Sequence, residues 1–93
     1  MKITPRNIVF HELIGLKVAV EYSNNVFQIG ITGKIVNETA KTFVIETCSG
    51  RKIIPKKGVI FLIELPSGER IRVKGDILLG RPEERLKRKI KYW

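Results

Sequence analysis

Val59-Ile60-Phe61-Leu62-Ile63-Glu64-Leu65-Pro66-Ser67-Gly68-Glu69-Arg70-Ile71-Arg72-Val73-Lys74 decides the fold. Up to Leu65 the segment is apolar at nearly every position and rich in β-branched and aromatic side chains. That is the composition of a strand covered on both faces. Pro66-Ser67-Gly68-Glu69 has the chemistry of a tight turn. Arg70 to Lys74 then alternates strictly, cations on one face and branched apolar residues on the other, as a strand with one wet face does.

The same grammar extends upstream. Leu16 to Tyr22 alternates as a half-buried strand, and Ser23-Asn24-Asn25 reads as a turn. Gln28 to Val36 reads as a second strand, with Gly30 and Gly33 marking a bulge or bend. Asn37 to Lys41 turns the chain into a third strand at Thr42–Thr47. Cys48-Ser49-Gly50 is a short loop, and Arg51 to Ile54 is a fourth strand ended by Pro55 and Gly58.

Helices are expected only at the ends. Thr4 as N-cap and Pro5 at the first helical position predict a helix over residues 5–13, stopping before Gly15. Its Val9/Leu13 and Phe10/Ile14 pairs give it a wide apolar face. Pro82, the early Glu83 and Glu84, and the late Arg88, Lys89 and Lys91 predict a basic helix over residues 82–92.

The expectation is a mainly β chain: a small antiparallel barrel of about six strands over residues 16–80, between N- and C-terminal helices. Closure would hide the strand edges. The Sm-like arrangement fits this pattern, and OB-like or SH3-like barrels fit it too.

With 93 residues the chain has room for one domain, residues 1–93, and 43% hydrophobic residues are enough for a core. No apolar run is long enough to span a bilayer, and no signal-peptide core follows Met1, so a soluble, cytoplasmic protein is expected. One cysteine (Cys48) and one histidine (His11) exclude an internal disulfide and a Cys/His zinc site made by this chain alone. His11 has no orienting partner, and Gly30-Ile31-Thr32-Gly33-Lys34 lacks phosphate-loop spacing. No catalytic residue, metal ligand or bound cofactor is expected.

Charge is the informative quantity. Lys and Arg number 18 against 9 acids, a net charge of +9 that calls for a polyanionic partner. The cations form three groups: Arg51, Lys52, Lys56 and Lys57; Arg70, Arg72 and Lys74; and Arg81, Arg85, Lys87, Arg88, Lys89 and Lys91. Each cation that meets a phosphate adds salt-dependent affinity. Phe43 and Phe61 read as core. Few aromatics are left for stacking, which favours recognition of the backbone and shape of a folded RNA.

Several segments carry a family resemblance: Arg6 to Leu16, Gly33 to Thr39 followed by Thr42 to Thr47, Ile54-Pro55-Lys56-Lys57-Gly58, and Leu78-Leu79-Gly80-Arg81-Pro82-Glu83-Glu84-Arg85. In order and spacing they resemble archaeal ribonuclease P protein component 1. The resemblance implies an Sm-like barrel in the ribonucleoprotein that removes the 5′ leader of precursor tRNA. It implies that the RNA subunit performs the magnesium-dependent chemistry, and that a small zinc-ribbon subunit pairs with this one. Carried over by motif, Lys34, Lys56, Lys57, Arg81 and Arg85 are expected to meet ribonuclease P RNA, precursor tRNA being engaged indirectly. Val9, Phe10 and Leu13 are expected to meet the zinc-ribbon partner. The competing expectations are another small-barrel RNA binder, ribosomal or ring-forming, and a protein-interaction module with incidental charge.

Overall fold

The computed structural model describes residues 12–81 and 84–85. Six strands, β1 (Lys17–Ser23), β2 (Thr32–Glu38), β3 (Thr42–Thr47), β4 (Gly50–Pro55), β5 (Val59–Glu64) and β6 (Arg70–Lys74), form one sheet in the order β4-β3-β2-β1-β5-β6. Every neighbouring pair is antiparallel. The inward residues of all the strands meet in one core: Val18 and Val20, Ile35, Phe43 and Ile45, Ile54, Phe61 and Ile63, and Val73. Phe43 and Phe61 meet edge to face at its centre, their ring centroids 5.3 Å apart.

A sheet that gathers six inner faces around one core has to coil, and three features bend it. The register shifts between Val20 and Tyr22 where β1 meets β5, and between Ile35 and Asn37 where β2 meets β3. At Gly33 a Cβ would lie 2.0 Å from the Glu46 carbonyl oxygen, so only glycine lets β2 cross β3 this closely.

β2 starts later than the alternation suggests. Val26–Gln28 is instead a 3-10 turn, with the Asn25 side-chain oxygen accepting the Phe27 N–H at 3.0 Å. Local side-chain capping wins there over strand pairing. Gly30 has φ +89° in the turn that follows.

The expected closed barrel is corrected to a coiled, open sheet. Among the described residues β4 and β6 are edge strands that do not pair with each other. Pro55 lacks the N–H that would prolong the ladder at the end of β4. Contacts outside the strands draw that side together. A Cβ on Gly75 would lie 1.8 Å from the Lys56 carbonyl oxygen, and the Gly80 N–H donates to the Ala40 carbonyl at 2.7 Å.

The ends differ from expectation as well. Glu12 and Leu13 are not helical, and Ile14-Gly15 turns into β1, with the Gly15 N–H donating to the Ile35 carbonyl at 2.7 Å. The rest of the expected first helix, with Val9 and Phe10, lies outside the described residues. Leu13, expected at a partner contact, is 0% exposed and belongs to the core. At the other end Glu84 and Arg85 are helical, and the Arg85 N–H donates to the Arg81 carbonyl at 3.0 Å. Lys87, Arg88, Lys89 and Lys91 lie outside the described residues. No helix among those described is long and apolar enough to cross a membrane.

Candidate nucleic-acid interface

The expected RNA-binding cations separate into two environments. Lys56 and Arg85 are completely buried. The Lys56 ammonium donates to Glu38 Oε2 at 2.7 Å, to the Thr39 carbonyl at 2.8 Å and to the Gly80 carbonyl at 3.1 Å. It also lies 4.8 Å from the Phe43 ring centroid. Arg85 Nη1 donates to the same Glu38 oxygen at 2.5 Å, to the Gly80 carbonyl at 2.6 Å and to the Leu78 carbonyl at 3.1 Å. Charge taken out of water needs this density of partners. The cluster ties the end of β2, the chain beyond β4 and the segment beyond β6 together on the open side of the sheet. The expectation that Lys56 and Arg85 present charge to RNA is corrected: their cationic ends are enclosed and spent on Glu38.

The second environment is the outer face. Because side chains alternate along a strand, residues paired across the ladder share a face. The registers join Arg70 to Glu64, Glu64 to Lys17, Lys17 to Lys34, Lys34 to Glu46, and Glu46 to Arg51. One unbroken row of charge thus crosses every strand of the sheet. Glu64 lies 3.5 Å from Arg70 and 3.9 Å from Lys17, and Glu46 lies 3.6 Å from Arg51. At the middle of the row two lysines face each other directly, an arrangement that disfavours folding. Lys17, Ala19, Thr32, Lys34, Leu62 and Arg70 help line a depression of about 480 Å³ on this face.

In the next row Arg72 is paired across β5 with Leu62. It grips Glu21 through Nε to Oε2 and through Nη2 to Oε1. That hydrogen bond, then the carboxylate's charge, raises the Arg72 pKa above the ordinary arginine value. Lys74 lies in the third row, across β5 from Ile60 and, through it, Tyr22.

The structure therefore brings Lys34, Arg51, Arg70, Arg72 and Lys74 onto one face. Lys52 is paired with the inward-facing Ile45, and it is exposed only because β4 is an edge. Lys57 and Arg81 are exposed in the segments beyond β4 and beyond β6. Lys17 was absent from the expected set although it completes the row. Its alternation with Val18 and Val20 placed it outward, but only the register puts it beside Lys34.

The comparisons with known proteins agree with one another. The family model described as "Ribonuclease P/MRP, subunit p29" matches residues 6–88. Ribonuclease P protein component 1 of Thermofilum pendens is 52% identical to this chain, over the whole of both. The protein of the same name from Methanocaldococcus jannaschii is 54% identical over 96% of this chain and 94% of that one. A solved structure of Mth11, described as a homologue of human RNase P protein Rpp29, superposes with a TM-score of 0.59 at 40% identity. It covers 80% of this chain and 96% of that one. With the fold and most of the sequence matching in this way, the chain belongs to the ribonuclease P/MRP p29 subunit family.

Proposed function

We propose that this chain is a non-catalytic RNA-binding subunit of ribonuclease P, acting in the cytoplasm, and that it supports RNA-catalysed removal of the 5′ leader from precursor tRNA. The observation that carries the reading is the outer-face row, with Lys17 directly opposite Lys34 and arginines at both ends. Two like charges facing each other give the isolated fold nothing, whereas a phosphate backbone lying over them neutralises both and releases counterions. Lys74 extends the positive face, and the exposed Lys52, Lys57 and Arg81 supply further cations outside the row. The RNA subunit supplies the magnesium-dependent chemistry, and this chain supports the RNA fold. A zinc-ribbon subunit is the protein partner, with Val9 and Phe10 as its contacts.

Reconstitution tests the reading. Adding this chain with its partner subunit to the cognate RNA is expected to raise precursor-tRNA cleavage at low magnesium. RNA binding by the chain is expected to weaken steeply with salt. Cleavage no faster than with the partner alone, or a flat salt response, would count against it.

A further inference from the structure

The carboxylates in the outer-face row make only exposed ion pairs, which add little to the fold, and a carboxylate repels an RNA backbone. Glu64 sits between Arg70 and Lys17, and Glu46 sits between Lys34 and Arg51. The Glu64 side chain is 31% exposed, whereas those of Lys17 and Arg70 are 75% and 68% exposed. At Glu64 the cations are thus the more exposed partners, whereas Glu46, 56% exposed, is nearly as open as Arg51, 69% exposed. Ion pairs this exposed are weak, so a phosphate displaces the carboxylate at little cost where phosphates are dense. Where phosphates are sparse, the carboxylate remains a competitor and repels the incoming chain.

We propose that Glu46 and Glu64 set RNA selectivity: they hold the cations of the outer face in ion pairs that a compact, phosphate-dense RNA breaks and a loose single strand does not. The proposal rests on the RNA-binding reading above. It makes the two acids positioning residues, Glu64 acting through its ion pairs with Lys17 and Arg70 and Glu46 through its ion pair with Arg51. The arrangement also makes spacing matter. Strands lie about 4.8 Å apart, so Arg70 and Lys17, like Lys34 and Arg51, stand roughly 10 Å from each other with an acid between them. A ligand has to bring phosphates to both sides of each glutamate.

The test compares the full-length chain with its Glu46→Gln/Glu64→Gln variant, using a uridylate 20-mer and a folded ribonuclease P RNA transcript as probes. At about 0.15 M salt the variant is expected to bind the uridylate about tenfold tighter. Its plot of log affinity against log salt should steepen by about 1 to 2 as freed cations take up phosphates. Binding to the folded transcript should tighten much less, so discrimination falls. A Glu46→Asp/Glu64→Asp variant keeps the charge and is expected to discriminate as the parent does, which a purely structural role would not require. Unchanged or weaker uridylate binding by a variant with the parent's thermal unfolding midpoint would overturn the proposal. An equal gain on both RNAs would overturn it too, because the acids would then only scale total charge. A parent chain that bound neither RNA would remove the RNA-binding reading itself, a separate result.

Discussion

Lys56 and Lys34 are the same residue type, both in segments that bear the family resemblance, yet they do opposite things. Lys56 is enclosed, aimed at Glu38 and two carbonyls, and it stabilises the fold. Lys34 is exposed, faces another lysine across the ladder, and works against the fold. A count of cations therefore gives neither the surface potential nor the binding site. What decides is which way each side chain points, and what stands opposite it.

The comparison breaks most readily at Glu38. Glu38→Ala leaves two buried cations without their shared counter-ion and is expected to cost about 3–5 kcal/mol in urea unfolding. RNA affinity per folded molecule should stay unchanged. A loss below about 1 kcal/mol would mean that the cluster holds little together.

Next comes the outer row. Lys17→Ala/Lys34→Ala is expected to lower the salt slope of RNA binding by about 2 and to weaken binding about tenfold. Stability should move by no more than about 0.5 kcal/mol, as for other surface sites. A large stability loss in that variant would erase the distinction between the two lysines.

Arg51→Ala sharpens the contrast at a smaller scale. With Glu46 beside it, the arginine is partly committed, so the slope should fall by less than about 1. Arg72 should matter least of the outer arginines, because Glu21 occupies its guanidinium. Its pKa is raised in the fold, so any stability it contributes is present throughout the physiological range and lost only at pH beyond the ordinary arginine value. The affinity difference between the parent and Arg72→Ala should therefore be the same at about pH 6 and about pH 9. A difference that changed between those pH values would show another titrating group at work there.

Much of the fold was legible because alternation is a local signal. The reading of Thr42–Thr47 and Arg70–Lys74 coincides with β3 and β6, and the fifth strand was long by a single residue. The start of β2 was missed because Asn25 offers the Phe27 N–H a local acceptor, which hydrophobic pattern does not report. Openness of the sheet was missed because pattern carries no information on whether two edges meet. Leu13 was assigned to a helix face, whereas the chain folds it inward before β1.

The site was half legible. Parity could have flagged Lys56: it stands two residues beyond the buried Ile54, so extended chain carries it inward too. Glu38 carried no comparable signal, since its partners, Lys56 and Arg85, lie far away in the sequence. The outer row was hidden for a related reason. Each charge was visible on its own strand, but the registers that align them across the sheet are long-range facts.

The open ladder has a bearing on how copies of this chain behave together. Unpaired strand edges invite edge-to-edge sticking, and among the described residues both edges carry cations: Arg51 and Lys52 on β4, and Arg70, Arg72 and Lys74 on β6. Mutual repulsion opposes such contact between free molecules, and the charge that supplies it is the same charge that a polyanion cancels. Crowded on one RNA, the edges lose that guard, and an excess of protein over transcript is the condition under which turbidity should first appear.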